Sequence, residues 1–218
     1  MSQSESITLA CPACKKKQPF TVWQSVNATG DPELKQRLLD RSLITFKCDQ
    51  CAHTAGIEQE LMYIDMEQKL VLFRGQEEPE DIVAEAFGEF GAVAQAEYTY
   101  RLVGSINELI EKILIWDAGL DDRVLEVVKS LLMEHIDEAQ RGEDAELFFS
   151  GRYTEETSEE MIEFALLNTA GSTSWAVPFA QTVQKCAAEL QELLPAQESE
   201  RGKWRRIDRE FARKYIEG

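Results

Sequence analysis

The sequence predicts an α+β protein in two parts, a small β-rich domain over residues 1–75 and a larger domain of helices and strands over 76–218. Three observations lead there. Short alternating and β-branched runs surround two C-x-x-C pairs near the start of the chain. The polar, charged stretch Gly75-Gln-Glu-Glu-Pro-Glu-Asp81 then interrupts the apolar pattern. Beyond it, two segments of clear helical period are followed by strand-like runs.

In chain order, Ile7-Thr-Leu-Ala10 and Phe20-Thr-Val-Trp23 read as strands on either side of the first cysteine pair. Asp31-Pro-Glu-Leu-Lys-Gln-Arg-Leu-Leu-Asp40 opens with a capping residue and a proline at the first helical position. It sets Leu34, Leu38 and Leu39 on one face, so a helix is expected between the pairs. Ile44-Thr-Phe46 is a strand entering the second pair, and Ala55 to Ile64 and Leu70 to Phe73 are two more, parted by the turn Asp65 to Lys69. Residues 82–97 read as helix and Tyr98 to Val103 as strand.

Ser105 and Glu108 have capping-box spacing ahead of Ile106, Leu109, Ile110, Ile113, Leu114 and Trp116. Gly119 suits the left-handed residue that ends such a helix, and Asp121 or Asp122 caps a second one. Leu147 to Phe149 and Met161 to Leu167 then read as strands around the turn Thr154 to Ser158, with Ser174 to Val177 as a third. Phe179, Val183, Cys186, Leu190 and Leu194 form an amphipathic stripe that ends near Pro195.

The 218 residues carry a net charge of −17, unevenly placed. Residues 1–74 hold nine basic and nine acidic side chains, residues 75–199 seven and 27, and residues 200–218 seven and four. An acidic body repels a polyphosphate backbone, so nucleic acid is not the expected partner. No run approaches the ~18–20 apolar residues of a membrane span. The start Met1-Ser-Gln-Ser-Glu-Ser has neither the basic nor the apolar region of a signal peptide. A cytoplasmic location is expected.

Cys11, Cys14, Cys48 and Cys51 carry the strongest chemistry. In a reducing compartment two spaced C-x-x-C pairs read as a metal site rather than disulfides. Two such turns at the ends of β-hairpins close a tetrahedron of thiolates around zinc, the zinc-ribbon arrangement. The 33 residues between Cys14 and Cys48 exceed what a compact ribbon needs, and the inserted helix accounts for the excess. One structural Zn2+ per chain is expected, with no open coordination position for catalysis. Rubredoxin-type iron uses the same four thiolates. Lys15 and Ala52 stand where compact knuckles usually have glycine.

Cys11-Pro-Ala-Cys14, Phe20-Thr-Val-Trp23, Asp31-Pro-Glu-Leu-Lys35 and Thr45-Phe-Lys-Cys48-Asp-Gln-Cys51 together resemble the CpXC domain family of bacterial and archaeal proteins. Ser105 to Arg123 resembles a segment of its longer members. The second pair departs from the pattern, with Asp49 where proline is common. The resemblance implies four metal-ligand cysteines and supplies no activity.

Other chemistry is sparse. His53 reads as a surface turn residue, His135 as a helix-end residue and Cys186 as a small buried hydrophobe. Asp117, Asp121 and Asp122 read as helix caps, and Glu155, Glu156, Glu159 and Glu160 as a solvated turn. In the tail, Trp204, Ile207, Phe211 and Tyr215 recur at helical spacing among basic residues. That makes Trp204, Arg205, Arg206, Arg209, Phe211 and Arg213 the candidate partner-binding set, with docking onto the acidic second domain favoured.

The leading expectation is a non-enzymatic zinc protein that binds another protein or a second copy of itself. Its first alternative is an enzyme with a carboxylate site in the acidic domain. Its second is nucleic-acid binding by the ribbon through Lys15, Lys16, Lys17 and Trp23.

Overall fold

The computed structural model describes residues 2–77, 79, 96–142 and 144–216. The chain divides into two compact units, Met1–Ile106 with Arg201–Arg205, and Asn107–Glu200 with Arg206–Gly218. Both helices and strands are present, so the molecule is α+β. The helix expected over 82–97 lies outside the described residues, apart from Ala96 and Glu97, which form a turn.

In unit one, β1 (Gln3–Ala10) and β2 (Lys17–Asn27) form an antiparallel hairpin with Ala10 opposite Lys17. Helix α1 (Pro32–Leu39) buries Leu34 and Leu38, as its apolar spacing requires. A second, short hairpin joins β3 (Thr45–Lys47) to β4 (Thr54–Gly56). Next come β5 (Leu61–Asp65), β6 (Leu70–Arg74) and β7 (Thr99–Val103). Among the described residues the main sheet runs β1-β2-β5-β6-β7-β11, with β11 formed by Trp204–Arg205. β7 lies beyond the boundary expected at residue 75, yet it pairs in parallel with β6 and belongs to unit one.

Two expected elements are corrected here. The run Ala55 to Ile64 is not one strand: β4 pairs with β3, whereas β5 pairs with β2 and β6 in the main sheet. The residues explain the break. Leu61 to Asp65 are buried at every position, as in a strand covered on both faces, and the alternation of Ile57 to Glu60 does not continue into them.

The second correction concerns the tail, in which Trp204 and Arg205 are strand rather than helix. Trp204 packs edge-on to Tyr100 at 5.0 Å between ring centres and to Phe73 at 6.3 Å. That packing and the parallel pairing with β7 outweigh the helical period.

Unit two opens with α2 (Ile106–Asp117) and α3 (Asp122–His135). Gly119, at φ 66°, ends α2 in a left-handed turn: Leu120 N–H donates to Ile115 O at 3.1 Å and Gly119 N–H to Trp116 O at 3.0 Å. Asp121 caps α3 by accepting the Arg123 N–H at 2.9 Å. A single turn, α4 (Glu138–Arg141), precedes the antiparallel sheet of β8 (Glu146–Thr154), β9 (Glu160–Asn168) and β10 (Gly171–Pro178). The apolar stripe after Pro178 begins as a π-helical turn over Ala180–Gln184 and continues as α5 (Lys185–Leu190).

The last helix, α6 (Arg209–Ile216), starts one residue after Asp208, whose carboxylate accepts the Phe211 N–H at 3.0 Å. The core of unit two joins Val124, Leu125 and Val128 of α3 to Phe149, Ile162 and Phe164 of the sheet, Val183 and Cys186, and Ala212 of α6. One sheet face is therefore apolar and covered by helices.

Candidate metal centre

Each C-x-x-C pair occupies the turn of a hairpin, Cys11 and Cys14 after β1, Cys48 and Cys51 between β3 and β4. The two turns repeat the same backbone pattern. Lys15 N–H donates to Cys11 O at 2.9 Å and Ala52 N–H to Cys48 O at 3.0 Å. Cys11 N–H donates to Lys16 O and Cys48 N–H to His53 O, both at 2.8 Å. The residue after each pair takes the left-handed conformation although it is not glycine, with Lys15 at φ 63° and Ala52 at φ 57°. The turn geometry thus survives the missing glycines, at a strain of roughly 1–2 kcal/mol per residue.

The four sulfurs lie within 4.8 Å of one another and can hold a metal ion. Cys11 Sγ is 3.7 Å from Cys51 Sγ and Cys14 Sγ is 3.6 Å from Cys48 Sγ, so the closest approaches run between the two turns. Disulfides are excluded at that separation, which is far above the ~2.05 Å of an S–S bond. A tetrahedron with metal–sulfur bonds of about 2.3 Å has edges of about 3.8 Å, so the spacing fits the thiolate set.

The acidities of the thiols are split. The N–H of Cys51 brings Cys48 down to about 7. His53 N–H pulls on Cys51, but burial and the three other sulfurs push it up to about 12. Four sulfurs this close cannot all ionise alone, and a bound cation is what would let them do so together.

The surroundings hold the two turns in register. Phe20 and Phe46 pack with ring centres 6.0 Å apart beneath Cys11 and Cys48, with Leu9 and Ile57 around them. Gln18 spans the hairpins: its amide donates to Lys47 O at 2.9 Å and accepts Asp49 N–H at 3.0 Å. A proline at position 49, common in the family, would have no N–H to give to Gln18. Lys16 Nζ pairs with Asp49 Oδ1 at 2.9 Å, and Lys15 Nζ donates to Pro12 O at 3.0 Å.

The remaining candidates fall elsewhere. His53 is exposed, and its backbone serves the second turn. His135 Nδ1 lies 2.8 Å from Leu131 O at the end of α3. Cys186 is buried, and burial pushes its thiol up to about 11.

Of the tail set, Trp204 is committed to the unit-one sheet and Phe211 stacks at 5.1 Å on Tyr215, while Arg205, Arg206, Arg209 and Arg213 are exposed. Helix α6 packs on α3 of its own unit.

Asp121 does cap α3, and it also grips Arg123 through both carboxylate oxygens, at 3.0 and 2.7 Å. Arg123 reaches on to Pro195 O at 2.7 Å and Glu200 at 3.3 Å. Asp122 is different from the expected cap: it is fully buried, with Lys112 Nζ 3.2 Å from its Oδ2.

That pair belongs to a buried group the sequence reading passed over, Glu111 and Lys112 on α2 with Asp122, Glu126 and Lys129 on α3. Burial raises the Glu111 carboxyl above its ordinary value, against the pull of Lys129. Burial works against the Lys129 charge, but Glu111 and Glu126 outweigh it and hold the ammonium above its ordinary value. The signal was present as charges at i, i+4 and i+7 along α3, masked by the apolar residues around them.

Fold and site thus define an α+β protein with a four-cysteine cluster able to hold a metal ion. The family described as CpXC protein matches residues 9–129, and the chain belongs to that family. No curated protein and no solved structure was found that matches the chain.

Proposed function

We propose that the four cysteines bind one structural zinc ion in a zinc-ribbon-like arrangement, and that the protein is a non-enzymatic module that acts by binding another protein. The observation that carries the metal reading is the all-sulfur set. The group of potential ligands comprises Cys11, Cys14, Cys48 and Cys51 alone, all within 4.8 Å of one another. Four thiolates complete the preferred coordination of zinc and leave no position for a substrate or an activated water. The ion's work is then to clamp one hairpin to the other, because the few apolar side chains under the turns form too small a core to do so.

Binding to a protein is supported by charge rather than by a cleft at the metal. Arg206 and Arg209 are exposed in a segment, residues 200–218, that holds seven basic and four acidic side chains on a chain of net −17, a local excess of positive charge that suits an acidic partner.

Metal analysis of the purified chain with an absorption spectrum tests the zinc reading. One zinc per chain and no visible band is the expected result. A red protein would assign iron and electron transfer instead, and a metal-free folded protein would remove the reading.

A further inference from the structure

Acidic side chains outnumber basic ones 40 to 23 in this chain, so a base left without an acid is not left for want of one. Arg209, exposed on α6, is such a base: its guanidinium makes no hydrogen bond or ion pair among the described residues. Arg141, half-buried at the end of α4, has no carboxylate partner among them either, and its Nη1 donates to Met133 O at 3.2 Å.

The two arginines line one recess of about 400 Å³ with Met133, Glu138, Gly142 and Ala145. A smaller recess, of about 90 Å³, shares Met133, Arg141 and Arg209 with it and adds Glu134, Arg213 and Ile216. Three guanidiniums from α4 and α6 thus gather around Met133 of α3, all within unit two. Arg209 and Arg213 stand one helical turn apart, where like charges weaken a helix. Glu134 and Glu138 are the acids of the two linings, and neither pairs with Arg141 or Arg209. Three bases against two acids leave the recesses positive on a chain of net −17.

An anion answers such a cluster, and the walls narrow its kind. The planar fork of a guanidinium matches the two oxygens of a carboxylate. The smaller recess has room for one group of that size. Beside it Met133, Ala145 and Ile216 offer apolar surface, which a bare inorganic anion would leave unused. The acidic body repels a polyphosphate chain. A polypeptide segment with carboxylates and apolar side chains side by side uses both kinds of wall.

We propose that Arg141, Arg209 and Arg213 form the docking site for an acidic segment of a partner protein. One carboxylate of the segment enters between the three guanidiniums, and a neighbouring apolar side chain lies on Met133 and Ala145. The site rests on the reading of this chain as a protein-binding module and gives that binding a place.

Fluorescence anisotropy with the full chain, as purified, tests the assignment. The probe is a dye-labelled peptide of three glutamate–glutamate–leucine repeats, and its control has glutamine in place of every glutamate. The glutamate peptide binds with a Kd below about 1 mM, and the glutamine peptide at least about tenfold more weakly. Raising the salt from about 50 to about 300 mM weakens the binding. Arg209→Gln and Arg213→Gln each weaken it about fivefold or more, whereas Lys185→Gln, on α5 and outside both recesses, changes it less than about twofold. All three side chains are exposed, so these changes leave the core intact. Undiminished binding by both arginine variants would overturn the site and leave the protein-binding reading standing elsewhere on the surface. No binding by the parent at about 1 mM would overturn the site and the acidic-partner reading together. Displacement of the peptide by an equal concentration of inorganic phosphate would mark a small-anion site and overturn the assignment too.

Discussion

Ala52 holds φ 57° and Lys15 φ 63°, where an L side chain crowds its own backbone, because the chain must turn back there for the carbonyl of the next residue to reach the N–H of the first cysteine in its pair. A β-branched residue cannot adopt that conformation without a larger clash. Ala52→Val is therefore expected to lower the stability of the metal-loaded protein by about 2 kcal/mol, read as a reduced urea midpoint. Ala52→Gly leaves it nearly unchanged, since relief of strain offsets the extra freedom of the unfolded chain. Gln18 is the other residue whose loss is informative. Gln18→Ala removes both bonds between the hairpins, to Lys47 O and from Asp49 N–H. It should cost about 1–2 kcal/mol on the same measurement. The cysteine spacing made the cluster of four sulfurs legible from the sequence. Gln18 was not legible, because nothing local marks a glutamine that bonds to residues some thirty positions away.

Among the elements, those with a strong local code were legible and those decided by distant packing were not. Proline and spacing announced α1, and Gly119 with Asp121 announced the junction of α2 and α3. The parallel pairing of Trp204–Arg205 with β7 has no local signature, and the helical period around Trp204 pointed the wrong way. The faces of α2 and α3 hold a further consequence. Glu111 has its carboxyl raised by burial above the ordinary 4.5, so the folded chain holds this proton more tightly than the unfolded one. That contribution to stability is present in full below the unfolded value and is lost as pH rises through the folded one. Glu111→Gln keeps the acceptor for the Phe149 N–H, a 2.7 Å contact in the parent, and removes the titration. The stability of the variant relative to the parent should therefore rise with pH above about 4.5. Urea midpoints of both proteins across the pH range measure it; parallel curves would mean that Glu111 does not titrate there.

At the scale of the whole molecule, the charge is divided between an N-terminal region that is neutral and a body that is strongly acidic, and the two clusters of ionisable side chains follow that division. The four-cysteine cluster sits in unit one and the buried charge group in unit two. The family match runs from residue 9 to residue 129, so it covers the four cysteines and both helices that carry the charge group. If the metal is structural for unit one, its removal acts unevenly. Hydrogen exchange of the full chain before and after chelation measures this directly. Amides of β1 to β4 and of the two cysteine turns are expected to lose their protection, while those of β8 to β10 and α3 keep theirs. Unchanged protection of β1 to β4 after the metal is gone would contradict a structural role.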